Sequence, residues 1–357
     1  MLKRLPLGLL LCSAGTFARA AAPTITEIAP TSAVVGTVIT ITGADLDKVT
    51  AVTFNGIAAK TITDNTATSL KATVPEGATS GKLVVTTADG AVTNSYDFIV
   101  LLGSKTNAKD NAEMVWVPGA TFTMGSVDGV GNKNEHPAHQ VTLSGYWIYQ
   151  YDVTVAQYRA FCTATTRTLP KFPSDYNWKG KTGWDDLALQ QHPIVNVNWN
   201  DAKAYADWAG VTLPTEAQWE YAARGSDGNN YPWGGTGTKE DITNGWDATK
   251  CANYDNSYKV GKSTWPVGSF PAGASWCGAQ DMAGNVWQWC GDWSSKYNAT
   301  AVTNPTGPAT GERRVLRGGS WGGDNYWNRG ADRVGIGPVE YGYYIGFRCV
   351  SLSPGPK

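Results

Sequence analysis

Three kinds of residue in this chain have side chains able to do chemistry on another molecule. They are its cysteines, its histidines and an aromatic, glycine-rich tail, Arg317 to Arg348. Of six cysteines, Cys12 falls in an apolar leader, which leaves Cys162, Cys251, Cys277, Cys290 and Cys349. An odd number of thiols in an exported protein implies one free thiol or one intermolecular bridge. Spacing does not fix the connectivity; Cys251 with Cys277 is the pairing we expect. His136 and His139 share a Pro-containing segment and could supply two metal ligands, but no third His or carboxylate joins them in sequence, so a polar loop role is favoured. His192 stands alone. No nucleophile, base and orienting group form a triad, and no catalytic residue is assigned.

The tail reads RGGSWGGDNYWNRGADRVGIGPVEYGYYIGFR. Its Gly, Asp, Asn, Tyr and Trp follow neither a helical nor a strand period, so irregular surface backbone is expected. Rigid aromatic side chains among small residues suit a contact surface. The alternative is that they turn inward and close a core.

The elements that must position these groups are legible in part. Lys3 and Arg4, the run Leu5 to Phe17 and Ala18-Arg19-Ala20 read as a secretory signal over residues 1–22, so the protein is expected to be exported: periplasmic, secreted or at the cell surface. No other stretch is long and apolar enough for a transmembrane segment. A net charge of −1 with 17% charged residues offers no basic surface for nucleic acid. All 16 tryptophans lie between Trp116 and Trp327, which splits the chain in two. Residues 23–102 carry short β-prone runs (Val38–Thr42, Ala51–Phe54, Lys82–Thr86, Tyr96–Val100) between turn signals such as Asn55-Gly56 and Ala88-Asp89-Gly90. That spacing predicts a small antiparallel β-sandwich of immunoglobulin-like type. Residues 103–112, small and polar, read as a linker. Residues 113–352 form the second unit. Three helices are expected there: one with Val155, Tyr158 and Phe161/Cys162 on one face behind Thr154, one capped by Asn200 or Asp201 with the stripe Ala202, Tyr205, Ala206 and Ala209, and one starting near Pro214-Thr215. Beyond Gly225 little regular structure is expected, with tryptophans filling the core.

The first unit resembles the IPT/TIG family through Ile28-Ala29-Pro30-Thr31-Ser32, Ile41-Thr42-Gly43, Val52-Thr53-Phe54-Asn55-Gly56 and Val74-Pro75. Such domains imply a spacer or a surface-docking module. The second resembles the formylglycine-generating enzyme (sulfatase-modifying factor) family. The matching pieces include Met124-Gly125-Ser126, Leu213-Pro214-Thr215-Glu216-Ala217-Gln218-Trp219-Glu220-Tyr221-Ala222, Tyr231-Pro232-Trp233-Gly234, Asp281-Met282-Ala283-Gly284-Asn285-Val286-Trp287-Gln288-Trp289 and Arg317 to Trp321, in order. The resemblance implies a C-type-lectin-like α+β fold with little regular secondary structure. The family's oxidases hold copper on two cysteines between the Gly-Gly-Ser and Gly-Phe-Arg signatures, and other members use iron on histidines. Here that interval has no cysteine, and the simplest alignment places Gly323 and Asn328 at the two positions. Neither replaces a thiolate, so copper is not expected. The resemblance also implies calcium, on Asp281, Gly284, Val286 and Gln288, with Gln288 where Glu is usual. A second set would be Asn253 and Tyr254 with Asp255. Loss of the carboxylate weakens the first set, and a hydrogen-bonded polar loop is the alternative.

The tail is also similar to the variable region of proteins diversified by retroelements. Arg329, Ala331, Arg333 and Pro338 fall on the fixed positions of that pattern. Gly322, Gly323, Asp324, Tyr326, Asp332, Val334, Gly335, Ile336, Gly337, Gly342, Tyr343 and Tyr344 fall on Asn positions, and each is reachable from an Asn codon by changing adenines only. Trp327 and Glu340 are not. The resemblance implies that Arg329 and Arg333 pin the backbone by fork-like hydrogen bonds while the others vary. The expected function is a non-catalytic ligand-binding protein whose contact residues are Asp324, Tyr326, Trp327, Asp332, Tyr341, Tyr343 and Tyr344, with a protein or a glycan as ligand. The alternative is a metal-dependent oxidase of the formylglycine type.

Overall fold

The computed structural model describes residues 22–75, 78–94, 97–101, 103–174, 178, 180–235 and 238–356. The signal-sequence expectation and Tyr96 lie outside these residues.

The first unit is a two-sheet sandwich. One sheet has the order Thr24–Ala29, Val38–Ala44, Ser69–Thr73, Ile62–Thr63, and the other Ile57–Ala58, Val49–Phe54, Leu83–Thr87, Gly90–Thr93, all antiparallel. Alternation decides what faces inward: Ile39, Ile41 and Leu70 from one sheet meet Val52, Phe54, Leu83 and Val85 from the other in one core. Ser32–Val34 pairs in parallel with Ile99–Leu101.

In the second unit three helices stand where the sequence places them, the first two with the faces read from it. α1, Val155–Thr165, buries Val155, Tyr158, Phe161 and Cys162 behind a Thr154/Gln157 capping box. α2, Trp199–Ala209, buries Ala202, Tyr205, Ala206 and Ala209. Its cap is Asn198, two residues before the earliest expected, and Asp201 is the reciprocal partner in the box. α3, Glu216–Arg224, follows the Thr215 cap and is buried on nearly every side. The expected linker is not free chain: Ser104–Thr106 pairs with Glu113–Val117, which pairs in turn with Tyr146–Tyr149.

A central sheet carries the tail. Its order is Arg333–Ile336, Arg314–Arg317, Trp287–Trp293, Ile345–Gly346. The chain leaves the sheet after Arg317, returns antiparallel at Arg333, leaves again after Ile336 and rejoins at Ile345. The tail is therefore not irregular throughout: Val334 and Ile336 stand on a strand despite the glycine between them. Two loops, residues 318–332 and 337–344, hang from this sheet. The indoles of Trp219, Trp289 and, within the first loop, Trp321 are buried.

Candidate ligand-binding cleft

Arginines tie the tail to the scaffold. On α3, Glu216 and Glu220 are four residues apart and share a face. Arg333 forks onto Glu216, with Nε donating to Oε1 at 2.6 Å and Nη2 to Oε2 at 2.7 Å. Arg317 pairs with Glu220 and donates to the Asp332 carbonyl. Arg329 forks onto Glu135 at 2.9 and 2.6 Å. All of these side chains are buried. Burial alone would raise the Glu216 and Glu135 carboxyls, but the facing guanidiniums hold both below the ordinary range. Arg329 and Arg333 thus fork onto carboxylates, and they also reach backbone carbonyls of Tyr326, Asn134 and Ser295.

Between the two tail loops lies a cleft of about 550 Å³. Rings run along it in series. Tyr254 stacks on Tyr258 (centroids 5.4 Å), Tyr258 on Trp321 (5.8 Å), Trp321 packs obliquely on Tyr343 (6.0 Å), and Tyr343 meets Tyr344 edge-on (5.2 Å). Trp327, Tyr341 and Tyr344 are exposed by 47%, 57% and 40%, so these aromatics are not core. Val334, Ile336, Leu316 and Trp287 complete the apolar lining, and Glu340 stands on it.

Of the seven expected contact residues, Trp327, Tyr341, Tyr343 and Tyr344 line the cleft. Asp324 is exposed, but its carboxylate caps its own loop, accepting from Tyr326 and Trp327 N–H. Tyr326 is half-buried and donates to Asn132. Asp332 is a correction: it is fully buried, with Oδ1 accepting from Asn132 at 2.9 Å and Oδ2 without a hydrogen-bond partner. Of the twelve positions read as changeable, Gly323, Asp332 and Gly342 are buried and the other nine reach solvent at least partly. Tyr254 and Tyr258 also line the cleft, above the buried Trp321, and were not among the expected contact residues. The signal was two tyrosines spaced four apart in an Asn-rich loop.

Asp332 yields a pH prediction. Burial, then the nearby Glu135 charge, push its carboxyl up to about 6. A carboxyl raised on folding contributes stability that is full below its unfolded value near 4 and is lost as pH rises through about 6. Asp332→Asn keeps the Oδ1 acceptor and removes the charge. We expect urea-unfolding stability to lose a slope of roughly 3 kcal/mol between pH 4 and 7 in the variant relative to the parent.

The residues aligned with calcium ligands do not fit a cation. Gln288 Oε1 accepts from Trp219 Nε1 and Arg348 Nε, both at 2.7 Å, and its Nε2 donates to the Asp281 carbonyl. Asp281 Oδ2 accepts from Gly268 N–H. The Arg348 charge stands against the Gln288 oxygen. Gly284 and Val286 are buried in the same turn. Asn253 spends both amide ends within its own loop, Asp255 pairs with Lys259, and the Tyr254 ring is half-exposed in the cleft.

Nor do the aligned copper positions fit copper. Gly323 and Asn328 do meet: Asn328 Nδ2 donates to the Gly323 carbonyl at 3.3 Å, and its Oδ1 accepts from Ser320 N–H at 3.1 Å. A side chain at Gly323 would run into that Oδ1. A hydrogen-bonded amide thus bridges these two positions. The five cysteines are all free and buried, so the Cys251–Cys277 pairing is corrected. Cys277 contacts Ser275 and the Ala222 carbonyl, whereas Cys251 lies beside Asn253 and Asn328. Burial pushes the Cys251 thiol up to about 12, which keeps it protonated and a poor ligand. His136 and His139 bond to the Val130 and Pro137 carbonyls. His192 is pushed down to about 4 by burial, then by the Lys181 charge, and contacts Thr264.

Comparisons with known proteins agree with this architecture. Residues 102–352 match the model of the sulfatase-modifying factor enzyme 1-like domain, and residues 23–100 that of the IPT/TIG domain. The formylglycine-generating enzyme of Streptomyces coelicolor is 34% identical over 299 residues, covering 70% of this chain and 92% of that one. The inactive C-alpha-formylglycine-generating enzyme 2 of Mus musculus is 32% identical, covering 70% and 89%. Among solved structures, PvdO from Pseudomonas aeruginosa superposes with a TM-score of 0.56 at 28% identity, covering 70% of this chain and 98% of that one. Treponema denticola variable protein 1 superposes with a TM-score of 0.54 at 24% identity, with the same coverage, and shares the fold.

Proposed function

This chain belongs to the sulfatase-modifying factor enzyme 1-like family, with an IPT/TIG domain ahead of it, and from that premise we propose that it binds a ligand on this scaffold without catalysis. The observation that carries the reading is the aromatic cleft, built by the tail at the place where an oxidase would need two thiolates. The cleft's rings are held open by buried arginine–carboxylate pairs, and Asn328 occupies the thiolate position. The protein is exported, and the IPT/TIG unit spaces the cleft from a surface or docks to it. Changeable residue types at nine tail positions that reach solvent agree with diversification of this surface by a retroelement. A reverse transcriptase gene beside a near-copy of the tail, differing at adenines, is the expected genomic setting.

The competing reading is a metal-dependent oxidase, favoured by the named activity of the relatives. Cu(I) titration of the full chain, followed by incubation with a thiol peptide under oxygen, separates the two. We expect no aldehyde by mass spectrometry; turnover would overturn the ligand-binding reading.

A further inference from the structure

We infer that the cleft takes a cationic group, the guanidinium of an arginine side chain presented by a protein ligand. This rests on the ligand-binding reading above and adds the chemical class. The first ground is the lining. Tyr258, Trp327, Tyr341, Tyr343 and Tyr344 offer π faces and edges, with Trp321 packed behind them, and such faces carry negative potential that attracts a cation.

The second ground is charge. Among the described residues that line the cleft, Glu340 alone is charged, and it is exposed. Its Oε1 accepts only a long hydrogen bond from Gly337 N–H, at 3.2 Å, which fixes the carboxylate on the rim. An aromatic wall with a single fixed anion is complementary to a cation that can stack and fork at once. A planar guanidinium does both; a compact ammonium stacks less well.

The third ground is that this fold already houses such a group elsewhere. The Arg314 guanidinium lies between the rings of Trp199 and Trp293, 3.7 and 3.5 Å from their centroids. A neutral sugar is the poorer fit. Among the side chains on this lining, Ser320, Glu340, the tyrosine hydroxyls and the indole N–H groups are the polar groups that could meet its hydroxyls. The cleft volume exceeds one guanidinium, so it has room for flanking backbone of a peptide.

The test uses the full chain labelled with 5-fluorotryptophan, with the Trp321 and Trp327 signals assigned through Trp321→Phe and Trp327→Phe. Three probes are titrated: N-acetyl-arginine amide, its neutral isostere N-acetyl-citrulline amide, and methyl β-glucoside. The expected result is saturable movement of both signals with the arginine probe, with Kd on the order of millimolar for so small a group. Citrulline should bind about tenfold more weakly, and Glu340→Gln should weaken arginine about fivefold while leaving citrulline unchanged. The amide oxygen introduced by that substitution still accepts from Gly337 N–H, so the loop is preserved. Equal binding of arginine and citrulline, or of the glucoside alone, would overturn the cationic class while the ligand-binding reading stands. Silence with all three probes would also overturn it. Oxidation of a thiol peptide would instead remove the ligand-binding reading itself.

Discussion

Glu216→Ala is expected to destabilise the second unit by about 3–5 kcal/mol. The carboxylate accepts two hydrogen bonds from Arg333 and one from Tyr297 at 3.1 Å, and it lies 3.5 Å from the Arg317 guanidinium. Glu216, Arg333 and Arg317 are buried, so truncation strands the Arg333 charge in a site with little water to solvate it and leaves Arg317 with Glu220 alone. The immunoglobulin-like unit has its own core, and its urea transition serves as an internal reference that should not move. Trp327→Ala on the exposed rim should shift stability by no more than about 0.5 kcal/mol. The contrast between the two variants separates what holds the tail from what the tail displays. Arg329 and Arg333 each fork onto a buried carboxylate and so lock loops whose exposed side chains contribute little to folding.

The second large effect concerns the two positions aligned with the oxidases' copper ligands. In the double variant Gly323→Cys, Asn328→Cys, the Asn328 amide that would collide with a side chain at Gly323 is gone, and two thiols face each other across the loop. We expect Cu(I) affinity, measured by competition with a chromophoric chelator, to rise by at least about a thousandfold over the parent, since soft thiolates are the ligands Cu(I) selects. The variant gives up the Ser320 and Gly323 hydrogen bonds of Asn328, a loss of about 1–3 kcal/mol in stability. If the parent itself bound Cu(I) as tightly as the double variant, the assignment of Gly323 and Asn328 to the aligned copper positions would fail.

Much of this arrangement was legible before the structure, and the reasons are local. The α1 and α2 stripes repeat with helical period, and the sandwich strands alternate between turn signals, so neighbouring residues alone specify them. The exposure of Trp327, Tyr341 and Tyr344 followed from their place among glycines. What was not legible depends on partners distant in sequence. Asp332 looked like a surface residue because aspartate usually is one; it is buried beside its neighbour Arg329, and Asn132 reaches it from far away in the chain. The strand Arg333–Ile336 was hidden by Gly335, which breaks the β pattern, and is secured by pairing with Arg314–Arg317. Tyr254 was read with the calcium residues because its neighbours match that motif, yet its ring stacks toward the tail. Among the residues expected for calcium, Gln288 has its side-chain oxygen taken by Arg348, a partner that lies 60 residues away and could not be read from the motif.

The most direct check is hydroxyl-radical footprinting of the native full chain, read residue by residue by mass spectrometry. Trp327, Tyr341 and Tyr344 should be modified rapidly, while the buried Trp219, Trp289 and Trp321 stay protected until the protein unfolds. Protection of the three tail aromatics to the level of Trp289 in the ligand-free protein would mean that they close a core, and no outward binding surface would remain.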